Sequence, residues 1–393
     1  MNIIMTSDTY WPRKNGVAVS IDAFKNEFNI LGHNAHLFCT RYPMTDEQKK
    51  IYDNPTIHRF PSFPVLVSKE DYLVWPWQKK AIFREMDAIK PDIVHVQTEF
   101  IIGDIGRKYC RSRKVPMVMT CHTYFEQYIN HYVPWLPKSF AKFFARTITG
   151  SAFNKPDLVI VPSQHMKDVL LSYGVYKPIE VVPTGLDPKD FEGVNKEEEK
   201  KNSELYQKYP QLRGKRVLLY VGRVGQEKNM DFLIEVMKKL VPTHPDTVLL
   251  VVGGGPYKDS MEKIVQAQGL QNNVIMHGYH DRAKLKHVYA FADIFVFASK
   301  TETQGLVTIE AMLCGTPAVA VGEMGSREVM NGDNGGYMVK DDVDEFTAKV
   351  KLLLEDDQLY RNKCREALEY SQKWTVEPMS RKMLALYEKL VKK

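Results

Sequence analysis

The sequence is poor in cysteine: Cys39, Cys110, Cys121, Cys314 and Cys364 are scattered over 393 residues, with no C-x-x-C pair among them. That spacing excludes a disulfide scaffold or a cysteine zinc site and suits a reducing cytosol. No uninterrupted apolar run approaches ~20 residues, so no segment is expected to span a bilayer. Met1 leads into Asn-Ile-Ile-Met and polar Thr-Ser-Asp, without the basic region and long apolar core of a signal peptide. No G-x-G-x-x-G follows the first apolar run and no G-x-x-x-x-G-K-[ST] occurs anywhere, which removes the dinucleotide fingerprint and the P-loop. Acidic residues are scarce in one region, because residues 105–155 carry nine basic side chains against Glu126 alone. The whole net charge of +6 lies in residues 1–180, with 23 basic and 17 acidic residues. A domain so biased expects an anionic partner.

At 44% hydrophobic and 26% charged residues, the chain reads as globular and is long enough for two domains, each with its own core. Short buried runs alternate with helical patterns, and the alternation occurs twice. The first cycle comprises residues 2–5, 36–39, 91–97, 115–121, 157–163 and 179–187; the second restarts at 216–221 and continues through 247–256, 274–279, 292–299, 317–321 and 334–339. Between them lies the charged stretch around 197–202, a solvated helix or linker. This order predicts an α/β protein of two doubly wound domains facing across a cleft. Residues 60–77 stand apart. They are broken by proline and rich in aromatics, and either pack over the core or meet an apolar acceptor.

The stretch 300–317 follows the apolar run 292–299 and turns helical from about Gly305, making a strand, loop and helix. Glu302 lies in the loop and Glu310 about a turn and a half into the helix. The glycine lets a ligand approach the backbone, and the N–H groups of Gly305, Leu306 and Val307 form a ready site for an anion such as a diphosphate. A carboxylate beside that anion is repelled unless it engages sugar hydroxyls, two of which it can accept at once. The pair therefore suits a nucleotide sugar, with ribose at one end and hexose at the other. The alternative is two solvated surface charges. In residues 222–229 a glycine turn after a buried run presents Arg223 and Lys228 ahead of the helix 230–240. Both cations can converge on a departing nucleoside diphosphate, or they are plain surface charges.

Other candidates are weaker singly. Asn15-Gly16 could bring backbone N–H groups against a phosphate or be a structural turn. His122 sits just past the carboxyl end of a predicted parallel strand, where a neutral imidazole could donate to a sugar hydroxyl or the glycosidic oxygen; otherwise it is a satisfied structural histidine. In the helix that follows, Leu136, Phe140, Phe143, Phe144 and Ile148 share one side, and Lys138, Lys142 and Arg146 a neighbouring stripe. With Tyr128, Tyr132 and Trp135 ahead of it, this is the pattern of an interfacial helix on anionic lipid, about residues 128–148; a helix packed on its own sheet is the alternative. Asp342-Val-Asp344 imitates a metal-binding D-x-D but opens a helix, where capping is expected.

Glu302-x7-Glu310, with Gly305-Leu306 between and Ala-Met-Leu-Cys-Gly-Thr-Pro-Ala after, resembles the signature of retaining glycosyltransferases of family 4. Gly222-Arg223 followed by Lys228-Asn229 matches the family's Gly-Arg-x4-Lys pattern, and Gly253-Gly-Gly255 its Gly-x-Gly turn. Residues 182–187 resemble its Pro-Asn-Gly-Val-Asp crossing, with Thr184 in place of the usual Asn. The likeness covers nearly the whole chain. It implies the GT-B architecture: an acceptor-binding Rossmann-like domain at 1–183, a nucleotide-sugar domain at 184–372, and a C-terminal helix at 373–393 returning to the first domain.

The resemblance also implies roles. Gly16 belongs to the first glycine loop that meets the donor diphosphate. His122 and Glu302 position the hexose, Arg223 and Lys228 stabilise the leaving diphosphate, and Glu310 takes the ribose. His277 and Gly278 stand at the strand end that holds the base through backbone groups. No metal and no other cofactor is implied, the nucleotide sugar being a substrate, and the acceptor is thought to attack from the face the phosphate leaves. His122-Thr-Tyr-Phe-Glu126 and the basic aromatic helix resemble bacterial 1,2-diacylglycerol 3-α-glucosyltransferases, which implies UDP-glucose, diacylglycerol and the inner face of the cytoplasmic membrane. Other donors (UDP-GlcNAc, UDP-galactose, GDP-mannose), a soluble acceptor, a nucleotide-sugar epimerase of similar fold and a non-catalytic binding module remain as alternatives. Nucleic acid is not expected, since the basic region carries no reader motif.

Overall fold

The computed structural model describes residues 1–13, 15–65, 68–122, 138–330 and 334–392. It divides into two compact units, Met1–Gly185 with Val376–Lys393, and Leu186–Thr375.

In the first unit, β1 (Asn2–Ser7), β2 (Asn34–Thr40), β3 (Ile57–Phe60), β6 (Ile93–Val96), β7 (Met117–Thr120), β8 (Leu158–Val161) and β9 (Ile179–Val181) form one parallel sheet in the order β3-β2-β1-β6-β7-β8-β9. Helices cover both faces, so β6, β7 and β8 are buried at every residue and read as continuous apolar runs instead of alternating ones. The strand order reverses between β1 and β6, which makes the carboxyl edge there the expected ligand position. Asn15 starts the helix Gly16–Ile30 by accepting from the Ala18 N–H at 2.8 Å. The last helix, Val376–Val391, returns to this unit, its buried Tyr387 ring standing edge-on to Phe28 at 5.7 Å.

The aromatic stretch becomes an antiparallel pair, β4 (Ser62–Val65) and β5 (Ser68–Val74), followed by a single turn at Pro76–Gln78. Trp75 stacks on Trp77 at 4.4 Å and Phe63 lies 4.4 Å from Trp75, yet Trp77 is 67% exposed, so this ladder is not core. The helix Lys138–Phe153 is present, with Ile148 exposed and the Arg146 guanidinium 5.7 Å from the Tyr173 ring centre. Tyr128, Tyr132, Trp135 and Leu136 lie outside the described residues, as do the side chains of residues 138–145, which carry the expected lipid-facing rings and Lys138 and Lys142.

The second unit is a parallel sheet of β10 (Arg216–Val221), β11 (Thr247–Val252), β12 (Val274–Gly278), β13 (Ile294–Phe297), β14 (Ala318–Val321) and β15 (Gly336–Val339), ordered β12-β11-β10-β13-β14-β15. Its order reverses between β10 and β13, which pair directly through Leu218↔Ile294 and Leu219↔Phe295. Asp342 accepts from the N–H groups of Asp344 (2.8 Å) and Glu345 (2.9 Å), capping the helix Val343–Glu355. The helix Asp357–Ser371 has no counterpart in the sequence reading; its apolar stripe is narrow and set among charges, and it buries only Lys363, Ala367 and Ser371.

Gly253 ties two ligand-edge turns together. Its φ is +138°, its N–H donates to the Gly278 carbonyl at 2.8 Å, and a Cβ there would lie 1.8 Å from the Gly222 carbonyl oxygen. Gly253→Ala is therefore expected to cost about 3 kcal/mol, read as a lowered urea midpoint.

Candidate active site

Because β10 and β13 are neighbours, the loops leaving their carboxyl ends emerge side by side. The first carries Arg223 and Lys228, the second Glu302. Lys228 Nζ meets Glu302 Oε1 at 2.5 Å, both side chains mostly buried. Arg223 points outward and pairs with Glu227 at 3.0 Å. The loop carrying Glu302 is held from behind: the Gly325 N–H donates to the Glu302 carbonyl at 2.9 Å.

Gly305 opens the helix Leu306–Leu313 in the left-handed region, φ +79°, where a side chain would be strained. A Cβ at Gly305 would also sit 3.2 Å from Ser326 Oγ. That hydroxyl is buried and has no hydrogen-bond partner among the described residues. The helix mouth thus combines first-turn N–H groups of Leu306 and Val307, which have no intrahelical acceptor, with an unsatisfied hydroxyl. The Lys228 ammonium, a helix amino terminus and a spare hydroxyl are the groups an anion would need.

Glu310 is only 3% exposed. Its carboxylate accepts from the Tyr289 hydroxyl at 2.8 Å and from Arg282 at 3.2 Å. The charge of Glu310 holds the Arg282 guanidinium above its usual pKa, and burial followed by the same charge pushes the Tyr289 phenol well above its own. Both therefore stay donors, and they occupy about two of the roughly four acceptor sites on the carboxylate. At the end of β12, burial pushes His277 down to about 4. Its Nε2 lies 3.0 Å from His280 Nδ1, and its carbonyl accepts from Lys208 at 3.3 Å. The Gly278 carbonyl is taken by Gly253.

In the first unit, Gly16 begins its helix, and a Cβ there would meet nothing within 4 Å. The chain itself therefore gives no steric reason for a glycine. His122 follows β7 and is half-buried, its Nε2 2.7 Å from Gln97 Oε1; burial pushes it down to about 4. Behind it His95 is fully buried between the Tyr387 hydroxyl (2.5 Å) and Thr120 Oγ1 (2.6 Å), and burial pushes it to about 3.

A histidine whose folded pKa lies below its unfolded value of 6.5 is protonated first in the unfolded chain, so its contribution to stability is lost as pH falls below 6.5. Glu99, pushed up to about 8 by burial, acts in the opposite sense. The comparison with His95→Asn isolates the histidine. Between pH 6.5 and 5 wild type should lose on the order of 2 kcal/mol of unfolding free energy relative to the variant, measured by urea denaturation.

The sequence reading did not identify Tyr289 and Arg282 as partners of Glu310, Glu227 beside Arg223, Ser326 at the helix mouth, or Gln97 on His122. Among the described residues no group of three or more His, Cys, Asp or Glu side chains is placed to hold a metal ion, and no helix is long and apolar enough to cross a membrane.

Comparison with known proteins places the chain in a family. Residues 14–190 match the model described as Glycosyltransferase Family 4, and residues 201–374 that of Glycosyl transferases group 1. The chain is 32% identical over 329 residues to the alpha-monoglucosyldiacylglycerol synthase of Streptococcus pneumoniae, covering 82% of this chain and 71% of that protein. It is 27% identical over 348 residues to the enzyme of the same name from Acholeplasma laidlawii, covering 87% and 86%. Among solved structures, Anabaena HepE in complex with UDP and glucose superposes with a TM-score of 0.79 at 17% identity, covering 99% of this chain and 100% of that one. The fold is the one expected from the alternating runs, and this chain belongs to the family 4 glycosyltransferases as a hexosyltransferase of GT-B fold.

Proposed function

We propose that the chain transfers glucose from UDP-glucose to 1,2-diacylglycerol, forming an α-glucolipid with retention at the anomeric carbon. The observation that carries this is the Lys228–Glu302 pair at 2.5 Å beside the open mouth of the Leu306 helix. It sets a cation and a carboxylate next to an anion site, as a sugar diphosphate requires. The two synthases named above support the choice of glucose and diacylglycerol. Lys228, Arg223 and the N–H groups of Gly305, Leu306 and Val307 take the diphosphate, and their positive charge serves the departing group without a divalent metal. Glu310 takes the ribose, the strand end at His277 and Gly278 the base, and Gly16 approaches the phosphate. Glu302 and His122 position the hexose. The bond from the anomeric carbon to the phosphate oxygen breaks, the acceptor hydroxyl bonds to that carbon on the same face, and its proton passes to the departing diphosphate.

In this reading residues 1–183 and the returning helix receive the acceptor, and residues 184–372 the donor. Residues about 128–148 contact anionic lipid at the inner face of the cytoplasmic membrane. The test is UDP release from UDP-glucose by the purified chain. Vesicles containing diacylglycerol and anionic lipid should accelerate it severalfold over vesicles lacking diacylglycerol. Equal release with and without diacylglycerol would contradict the assigned acceptor.

A further inference from the structure

Gln97 follows β6 directly, and its main-chain N–H donates to the Thr6 carbonyl on β1 at 2.8 Å, which fixes it at the point where the strand order reverses. Its side chain is almost wholly enclosed, the residue being 3% exposed. One amide atom, Oε1, lies 2.7 Å from His122 Nε2; the other, Nε2, is buried with no hydrogen-bond partner among the described residues. Gln97 and His122 line a small cavity of about 10 Å³ together with His95, Thr120, Ser20 and Thr184. That is room for one oxygen atom, with a few polar atoms set in a wall otherwise made of Phe24, Ile160, Pro162, Val182 and Met383. An enclosed amide with a spare N–H beside an oxygen-sized space points to a ligand oxygen there, either water or a substrate hydroxyl.

With Gln97 Oε1 turned toward the ring, the donor count assigns His122 its tautomer. An amide oxygen only accepts, so His122 Nε2 must carry the proton of that bond. A neutral imidazole has one N–H, and Nδ1 is left as a bare lone pair. We propose that Gln97 is a positioning residue that locks His122 in the Nε2–H form, so that His122 meets the substrate through Nδ1 as a hydrogen-bond acceptor. This rests on the placing of His122 at the hexose, and it reverses the donor role suggested by the sequence alone. The titratable group facing His122 among the described residues is His95 on β6, with Tyr387 behind it. Burial keeps both histidines neutral above pH 5.

The test begins with the wild-type full chain labelled with 15N-histidine. Long-range 1H–15N correlation, with His122 assigned by loss of its signals in His122→Phe, should show the Nε2–H form at pH 7.5. Gln97→Leu should mix the two forms and lower kcat about tenfold. Gln97→Glu keeps the acceptor oxygen but adds charge, which raises the imidazole pKa. Measured against its own value at pH 8.5, its kcat should fall at least tenfold by pH 6, where wild type stays flat, because protonation of Nδ1 removes the lone pair. The Nδ1–H form in wild type, or a Gln97→Glu profile superimposable on wild type, overturns the proposal. If His122→Ala turns over at the wild-type rate, the placing of His122 at the hexose fails and takes the catalytic half of the proposal with it. If His122→Ala is inactive while both Gln97 variants behave as wild type at every pH, the proposal alone fails.

Discussion

Lys228→Met is expected to lower kcat by about three orders of magnitude. The substitution keeps the length and apolar stem of the side chain and removes its charge. Lys228 is mostly buried and its ammonium is fixed on Glu302 at 2.5 Å, so it is preorganised at the loop edge and needs no reorganisation when charge develops. The distal phosphate of the leaving diphosphate gains its second charge only as the glycosidic bond breaks, so the interaction is worth most in the transition state. Loss of the ammonium also leaves the Glu302 carboxylate enclosed beside an anion, adding repulsion where attraction stood. Arg223 stands further out, paired with Glu227, and Arg223→Met should cost less, about tenfold. Steady-state kinetics on both variants checks the ranking; equal losses would mean that the two cations share the diphosphate evenly.

Glu310→Leu carries the second large effect, and it falls on binding and stability together. Removing the carboxylate leaves the Tyr289 hydroxyl buried without an acceptor and the Arg282 guanidinium without its counter-charge. Leaving the buried Tyr289 hydroxyl unsatisfied costs about 1–3 kcal/mol, and the Arg282 guanidinium, 38% exposed, adds less. The variant should therefore unfold at a markedly lower urea concentration and raise KM for the donor at least a hundredfold. Glu310→Leu combined with Arg282→Leu and Tyr289→Phe removes the orphaned groups. It should recover most of the stability while donor binding stays lost. Recovery of both would remove Glu310 from the nucleotide site.

How far the sequence reads through to the structure depends on where a residue's partners lie. The two sheets were legible because their strands are buried on both faces and so appear as apolar runs separated by helical patterns. The meeting of Lys228 with Glu302 was legible only as two motifs. That they touch follows from β10 and β13 being neighbours at the reversal of strand order, a property of topology and not of spacing. Glu310 was visible in its motif, but Arg282 and Tyr289 reach it from another turn and helix, and nothing local marks them. Gln97 looked like the polar end of a buried strand, and only packing turns it toward His122. The Asp357 helix escaped because its apolar stripe through Leu359, Ala367 and Tyr370, which packs on the core, is set among many charged residues. Residues 60–77 looked irregular because Pro61, Pro64 and Pro76 break the alternation, yet an antiparallel pair tolerates proline at its edges.

The most direct measurement is the identity of the product. The purified chain, without added metal, is incubated with UDP-glucose and vesicles of diacylglycerol and anionic lipid, and the lipid extract is analysed by mass spectrometry and by the proton coupling at the anomeric carbon. A single hexose added to diacylglycerol in α linkage, and none with Glu302→Gln, is the predicted result. A β-linked product, or glucose released with the lipid unchanged, would contradict the assigned transfer.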